Sequence, residues 1–367
     1  MTVTLPFRIL TIAVAIMLHS TVWAFSVTFI SPGRHDEAYW LSATRAMQAA
    51  AAQLDIQLEV LYAERDPLQM VSLARGVAQR PHKPDYLLVV NEKLAAPAML
   101  SIAEQAGINS FLTFNELTDE QLRNTGLPRQ RLKHWLGSLA PDNVNAGVLT
   151  MQALVEGASH HFPTGTPLHV LMVAGDRSTP ASILRVQGAL QVLADHPSVQ
   201  LVQLVYGEWE HQRAQQQGQW LLARHPDINM IWSANDEMAF GLEQAALQVG
   251  KHAGQQILLS GINNSQQAMQ ARCQGRLTAL AAGHFMTGAW SLVMLYDYQH
   301  GHDFAAEGLI QQIPAFSAVS GTQAHYFLQH FADNNFSSIE FKQFSTYANP
   351  RLARHAFSFE RLLNQEY

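Results

Sequence analysis

The chain predicts an α/β protein of two doubly wound parallel-sheet lobes joined by a three-segment hinge. Three observations predict it. Short apolar runs alternate with longer amphipathic segments over most of the sequence. The rhythm breaks once, in a polar stretch over 118–141, and then resumes. The strand–helix units are too numerous for one comfortable sheet, and largely apolar strands alternating with helices belong to parallel sheets covered on both faces.

The elements follow in order. Residues 26–31 read as the first strand and 37–54 as the first helix. A strand over 56–62 precedes Asp66-Pro67, where Asp caps a helix and Pro takes its first position. Residues 86–91, 94–106 and 110–114 continue as strand, helix and strand. After the interruption, 168–174 is a strand, 182–193 a helix, and 199–206 and 230–233 are strands around a Gln-rich helix. Strands over 257–261 and 277–282 complete the second unit. The expected organisation is a signal peptide (1–24), an N-terminal lobe (25–138 with 284–312), a C-terminal lobe (139–283 with 313–330) and an aromatic-rich tail (331–367). Hinge segments are expected at 138–142, 261–264 and 282–284.

The first 24 residues read as a secretory signal. Arg8 is their only charge, residues 9–18 form an apolar run too short to span a bilayer, and Val22-Trp23-Ala24 offers a small-x-small cleavage site. Export to the periplasm is therefore expected, with the mature chain starting near Phe25.

Composition excludes several classes. An apolar fraction of 48% and a charged fraction of 14% suit packed cores and rule out wholesale disorder. A net charge of -6 without a long basic run argues against nucleic acid as a partner. The single Cys273 allows neither an internal disulfide nor a thiolate metal site, and it is expected to be buried and inert. His160 and His161 are adjacent, so their side chains diverge, and no H-x-x-x-H or H-E-x-x-H occurs. Without a G-x-S-x-G, P-loop or G-x-G-x-x-G motif, no catalytic residue, metal or cofactor is predicted, and the protein is not read as an enzyme.

In open α/β sheets a ligand sits outside the carboxyl ends of the strands. The residues following the predicted strands are polar or aromatic: 34–40, Asn91, Asn115, 176–179, Asn235-Asp236, Asn263-Asn264 and His284. Two such rims facing each other across a hinge make a cleft for a polar solute.

These residues carry a resemblance. The segment Ile231-Trp232-Ser233-Ala234-Asn235-Asp236-Glu237-Met238-Ala239-Phe240-Gly241 resembles the strand and "NDEMA" segment of type I periplasmic binding proteins of the ribose-binding kind. Arg185-Val186-Gln187-Gly188 looks like their R-x-x-G, and Leu259-Ser260-Gly261-Ile262-Asn263 resembles their "GFD" strand end. The order of motifs matches over about 26–315. Ser31-Pro32-Gly33, Tyr39-Trp40 and Asn115 are similar to the periplasmic autoinducer-2 receptor subgroup, whereas Ile262, Gly283 and Glu37 depart from it. The resemblance implies a periplasmic solute-binding protein that closes on a small polar ligand, a sugar or sugar-like molecule, and presents it to an ABC transporter permease. The alternative is a sensory receptor acting on a membrane sensor protein.

Candidate ligand-binding residues are His35, Glu37, Tyr39, Trp40, Asn115, Arg185, Asn235, Asp236 and Asn263. Tyr39 and Trp40 suit the C–H faces of a sugar. Arg185 offers a rigid fork of donors to paired hydroxyls or a carboxylate. Asn235 can both donate and accept, and Asp236 either accepts from a hydroxyl or caps the following helix. Asn263 and Phe114 stand where sugar binders of the family place Asp. Glu37 and His35 add ionisable groups at the mouth. The tail aromatics, Phe336, Phe341, Phe344, Tyr347, Phe357 and Phe359, are expected to dock on the lobes, with a surface for a membrane partner as the alternative.

Overall fold

A computed structural model describes residues 25–364. The predicted signal peptide therefore lies outside the described residues. Lobe one opens with β1 (Phe25–Ser31), α1 (Ala38–Gln53), β2 (Ile56–Tyr62), α2 (Pro67–Ala78), β3 (Tyr86–Val89), α3 (Ala96–Ala106), β4 (Asn109–Thr113), α4 (Asp119–Thr125) and β5 (Trp135–Pro141). Lobe two follows with α5 (Asn143–His161), β6 (Leu168–Ala174), α6 (Pro180–Asp195), β7 (Val199–Tyr206), α7 (His211–Arg224), β8 (Met230–Ser233), α8 (Asp236–Gln248), β9 (Leu258–Ile262), α9 (Gln266–Cys273) and β10 (Ala279–Ala282). The chain then returns through α10 (Thr287–Gln299) and β11 (Ile310–Ile313) to lobe one. It crosses a third time into β12 (Ser317–Ala318) and α11 (Gly321–Phe331), and ends in α12 (Phe359–Leu363).

The sheets share one winding. Lobe one has the order β2-β1-β3-β4-β5-β11, parallel throughout. Lobe two has β7-β6-β8-β9-β10-β12, parallel except for the antiparallel β12. Each order reverses beside its first strand, so each lobe has a switch point where a crevice opens at the carboxyl ends. Buried strands read as continuous apolar runs because helices cover both faces; β3 (Tyr-Leu-Leu-Val) and β8 (Met-Ile-Trp-Ser) are buried at every position. The Asp66 side chain accepts from Leu68 N at 2.8 Å with Pro67 in the first turn, as the local sequence predicts.

The crossings differ from expectation in detail. β5 stays paired with β11 from Ser138 to Pro141, so the first crossing follows Pro141 rather than Ser138. Residues 261–264 are not a hinge: β9 lies between β8 and β10 inside lobe two and leads into α9. The third crossing is instead 314–316, between β11 and β12. Cys273 is exposed, not buried, because it ends the short α9, whose other face carries the buried Ala268, Met269 and Ala271.

The tail packs on the body of the protein. Phe336, Phe341, Phe344, Phe357 and Phe359 are buried, and among the described tail aromatics only Tyr347 is exposed. Gln53 of α1 donates to the carbonyls of Ser337 and Ile339 and accepts from Phe341 N. Asp297 of α10 holds Ser345, Thr346 and His355. Phe357 stacks on Trp290 at 5.3 Å, while Phe359 packs against Phe285 and against Phe327 of α11. The tail thus touches both lobes beside the hinge.

Candidate functional site

The carboxyl ends of the two sheets face each other across one cavity. Lobe one supplies Glu37, Tyr39 and Trp40 at the start of α1, Arg65 after β2, Glu92 after β3, Phe114 and Asn115 after β4, and Pro141 at the end of β5. Lobe two supplies Asn143 from α5, Thr179, Ala181 and Arg185 around α6, Trp209 after β7, Asn235 after β8, Asn263 after β9 and His284 after β10. The lobes are closed on each other. Lys93 donates its backbone N–H to Thr179 Oγ1 at 3.2 Å and its ammonium lies 3.5 Å from Glu208. Asn264 Nδ2 donates to Ser42 Oγ at 2.6 Å.

The helix pair α5 and α6 aims Arg185. A Cβ on Gly188 would run into the carbonyl of Val144, and one on Gly147 into that of Arg185. These glycines let the helix backbones touch, which brings Arg185 to the first turn of α5. There its Nε donates to Asn143 Oδ1 at 3.0 Å and its Nη1 to the Ala234 carbonyl at 2.8 Å. The rings of Trp209 and Phe316 lie 5.7 and 5.4 Å from the guanidinium carbon. Arg185 is 4% exposed, and burial lowers its pKa to about 10.

Arg65 is held differently. Its guanidinium meets both oxygens of Glu37, with Nε 2.9 Å from Oε2, and its Nη1 lies 2.9 Å from Glu92 Oε1. Burial alone would lower its pKa; the two carboxylates outweigh that and hold it up. Glu92 is pushed up to about 7, burial winning over the pull of Arg65.

The wall is rich in rings. Trp40 and Phe114 meet edge to face at 5.2 Å, and Tyr39 stacks on His284 at 4.7 Å. Gly33 makes room for Trp40 and Gly175 for Trp209; a Cβ on either would overlap the indole. Asp176 fixes Trp209 and Thr179 together, accepting from Trp209 Nε1 at 2.8 Å, Thr179 N at 2.7 Å and Thr179 Oγ1 at 2.6 Å. Burial would raise its pKa, but these hydrogen bonds and those from Ser178 hold it low. Burial keeps His284 well below the ordinary imidazole range, so its ring is neutral at pH 7. Trp40 Nε1, Asn115 Oδ1 and His284 Nδ1 are buried in this wall with no hydrogen-bond partner in the protein. Such groups are costly unless something else satisfies them.

Of the residues picked out in the sequence, Glu37, Tyr39, Trp40, Asn115, Arg185, Asn235 and Asn263 line the cavity. His35 does not: its side chain is 71% exposed and faces Glu64. Asp236 stands behind the wall, where its Oδ1 accepts from Asn263 Nδ2 at 2.6 Å. The cap of α8 is Asn235, whose Oδ1 accepts from Met238 N while its Nδ2 donates to the Trp209 carbonyl. Asn235 is extended at the end of β8, the backbone shape a cap needs, whereas Asp236 already begins the helix. The candidate list omitted Arg65, Glu92, Asn143, Trp209 and His284. Arg65, Glu92 and Trp209 all follow a strand end, so the strand-end rule applied to β2, β3 and β7 finds them. Among the described residues no cluster of three or more His, Cys, Asp or Glu could hold a metal ion.

Comparison with known proteins agrees with this geometry. A periplasmic sugar-binding protein from Pseudomonas fluorescens is 38% identical, with a TM-score of 0.84, over 92% of this chain and 99% of that one. The ribose import binding protein of Escherichia coli is 22% identical over 246 residues, 66% of this chain and 74% of its own length. The xylitol-binding protein of Mycolicibacterium smegmatis is 24% identical over 136 residues, and that match spans only 37% of either chain. The sequence model of the periplasmic binding protein domain matches residues 27–303. With that match over most of its length, and with two doubly wound lobes closed around one cavity, the chain belongs to the periplasmic binding protein domain family.

Proposed function

We propose that this protein is a periplasmic binding protein that closes on one small sugar or sugar-like molecule and presents the closed form to an ABC transporter permease. The observation that supports it most is the interlobe cavity, walled by aromatic rings and by buried polar atoms that lack partners among the described residues. Rings combined with a few placed donors and acceptors match the two faces of a sugar. Relatives named for ribose, xylitol and D-allose support the same ligand class. Ligand contacts both lobes, so it stabilises the closed state by its differential affinity. The cavity performs no bond chemistry in this reading; Arg185, Trp209, Tyr39 and Asn115 bind, and Asp176 and Asn143 position.

A thermal-shift screen against pentoses, hexoses, polyols and autoinducer-2 tests it. A tight ligand at a hundredfold excess over Kd raises stability by about 2.7 kcal/mol. One clear shift, lost in Arg185→Ala and in Trp209→Ala, is the expected result. No shift with any sugar or polyol refutes the sugar reading. A shift with autoinducer-2 alone moves the protein to the sensory class, which the Tyr39-Trp40 and Asn115 positions also fit.

A further inference from the structure

We infer that the ligand is an acidic sugar, an aldonate or uronate, whose carboxylate is received by Arg185 while its hydroxyl end faces Glu37 and Glu92. This rests on the sugar-binding reading above and narrows it. The contrast between the two arginines of the cavity carries it. Arg65 is neutralised where it stands, by Glu37 on one side and Glu92 on the other. Arg185 is more deeply buried than Arg65, yet no carboxylate among the described residues lies within ion-pair distance of it. Both of its protein acceptors are neutral, the Asn143 amide oxygen and the Ala234 carbonyl. Its Nη2 makes no hydrogen bond among the described residues, and Arg185 lines the cavity.

A buried guanidinium without a counter-charge is a costly arrangement, and an anion brought to it is held by charge-assisted, often bidentate, hydrogen bonds. The rings of Trp209 and Phe316 offset part of the lost hydration through their electron-rich faces and leave the formal charge uncancelled. Asp236 and Glu92 act on the guanidinium through space only, neither of them hydrogen-bonded or ion-paired to it. Phe316 stacks on His284 and His284 on Tyr39, and neither an ionised imidazole nor a phenolate is expected there, because burial holds both groups in their uncharged forms. The strand end that Arg185 touches, at Ala234 after β8, is followed by Asn235, and β4 and β9 present Phe114 and Asn263 to the cavity, none of them acidic. Asp236 is screened from the cavity by Asn263, and burial raises its pKa. An amine ligand is disfavoured by the same geometry, since Glu37 and Glu92 already face Arg65. Glu92 Oε2, which Arg65 does not take, suits a hydroxyl group.

Calorimetry on the purified full-length protein, freed of carried ligand by unfolding and refolding, tests the inference. The probes are D-gluconate, D-galacturonate and D-ribonate beside their neutral parents D-glucose, D-galactose and D-ribose, at pH 7 and low salt. One acid is expected to bind at least roughly thirtyfold tighter than its parent, as a desolvated charge pair requires. Arg185→Gln should erase that preference, and Arg185→Lys should keep it at lower affinity. Neutral sugars that bind as tightly as their acids, or a preference that survives Arg185→Gln, overturn the inference. Binding of a neutral sugar with no acid bound overturns it and leaves the sugar-binding reading standing. If none of the six binds, the inference falls, and the thermal-shift screen alone decides the sugar-binding reading. The comparison of acid with parent needs only the native protein, so it decides even if the variants fail to fold.

Discussion

Gly188→Ala sets two effects against each other, and the structure decides the sign. Alanine in place of glycine inside a helix should stabilise by roughly 1 kcal/mol through propensity. At Gly188 the new Cβ meets the Val144 carbonyl, a backbone atom that cannot rotate away, and Gly147 faces the Arg185 carbonyl in the same seam. Helices α5 and α6 must move apart, and overpacking of this kind costs roughly 1–3 kcal/mol. We place the cost at the upper end because the obstacle is backbone, which leaves a net loss of about 1–2 kcal/mol. For a lobe of this size that lowers Tm by roughly 3–6 °C. The same displacement draws Arg185 off Asn143, so ligand affinity should fall roughly tenfold, about 1.4 kcal/mol. Gly76→Ala is the control: nothing lies within 4 Å of its Cβ, and it should gain stability. Urea unfolding followed by tryptophan fluorescence measures both variants. A Gly188→Ala protein as stable as the native one would refute the reasoning, because it would mean that the two helices are not in backbone contact.

Further tests concern the cavity, its pH response and the tail. Asp176→Ala releases Trp209 and Thr179 together and should weaken ligand binding roughly tenfold while costing about 1–3 kcal/mol in urea unfolding, read by calorimetry and unfolding; unchanged affinity sinks the positioning role. Glu92 sits near 7 in the folded protein against 4.5 for the free side chain, so the native state holds the extra proton between those values. That contribution to stability is complete below about 4.5 and is lost as pH rises through about 7, a fall on the order of 1–3 kcal/mol. Glu92→Gln should flatten the stability profile over that window, and an unaltered slope would assign it to other groups. Phe359 is 1% exposed and packs between Phe285 and Phe327, so Phe359→Ala should cost about 3–4 kcal/mol in urea unfolding. A loss below about 1 kcal/mol would mean that the tail is not part of the folded core.

Much of the architecture was legible from one sequence, because secondary structure is written in local periods. Apolar runs over 86–91, 168–174 and 230–233 announced buried parallel strands, and Asp66-Pro67 announced a helix start that the structure shows with its capping hydrogen bond. Topology then converts strand ends into a short list of wall positions, Asn115, Asn235 and Asn263 among them, whereas Arg185, inside α6, follows from the R-x-x-G resemblance. Sequence and topology together could not tell Asn235 from Asp236. They are neighbours, both polar, both able to cap, and only the extended backbone at Asn235 assigns the cap to one and the support of Asn263 to the other.

The sequence by itself determined the alternation, the switch-point winding it implies, and the residue types at the strand ends. Only the tertiary structure decided how those residues pair. Arg65 and Arg185 are indistinguishable as letters, each near the start of a helix or its leading turn. One is met by carboxylates from α1 and β3 of its own lobe, and the other by an amide and a carbonyl. That difference arises because counter-charges come from segments distant in the chain, brought together by sheet order and by the contact of α5 with α6. Periodicity is a local property; electrostatic partnership in a closed cavity depends on where the whole chain comes to rest.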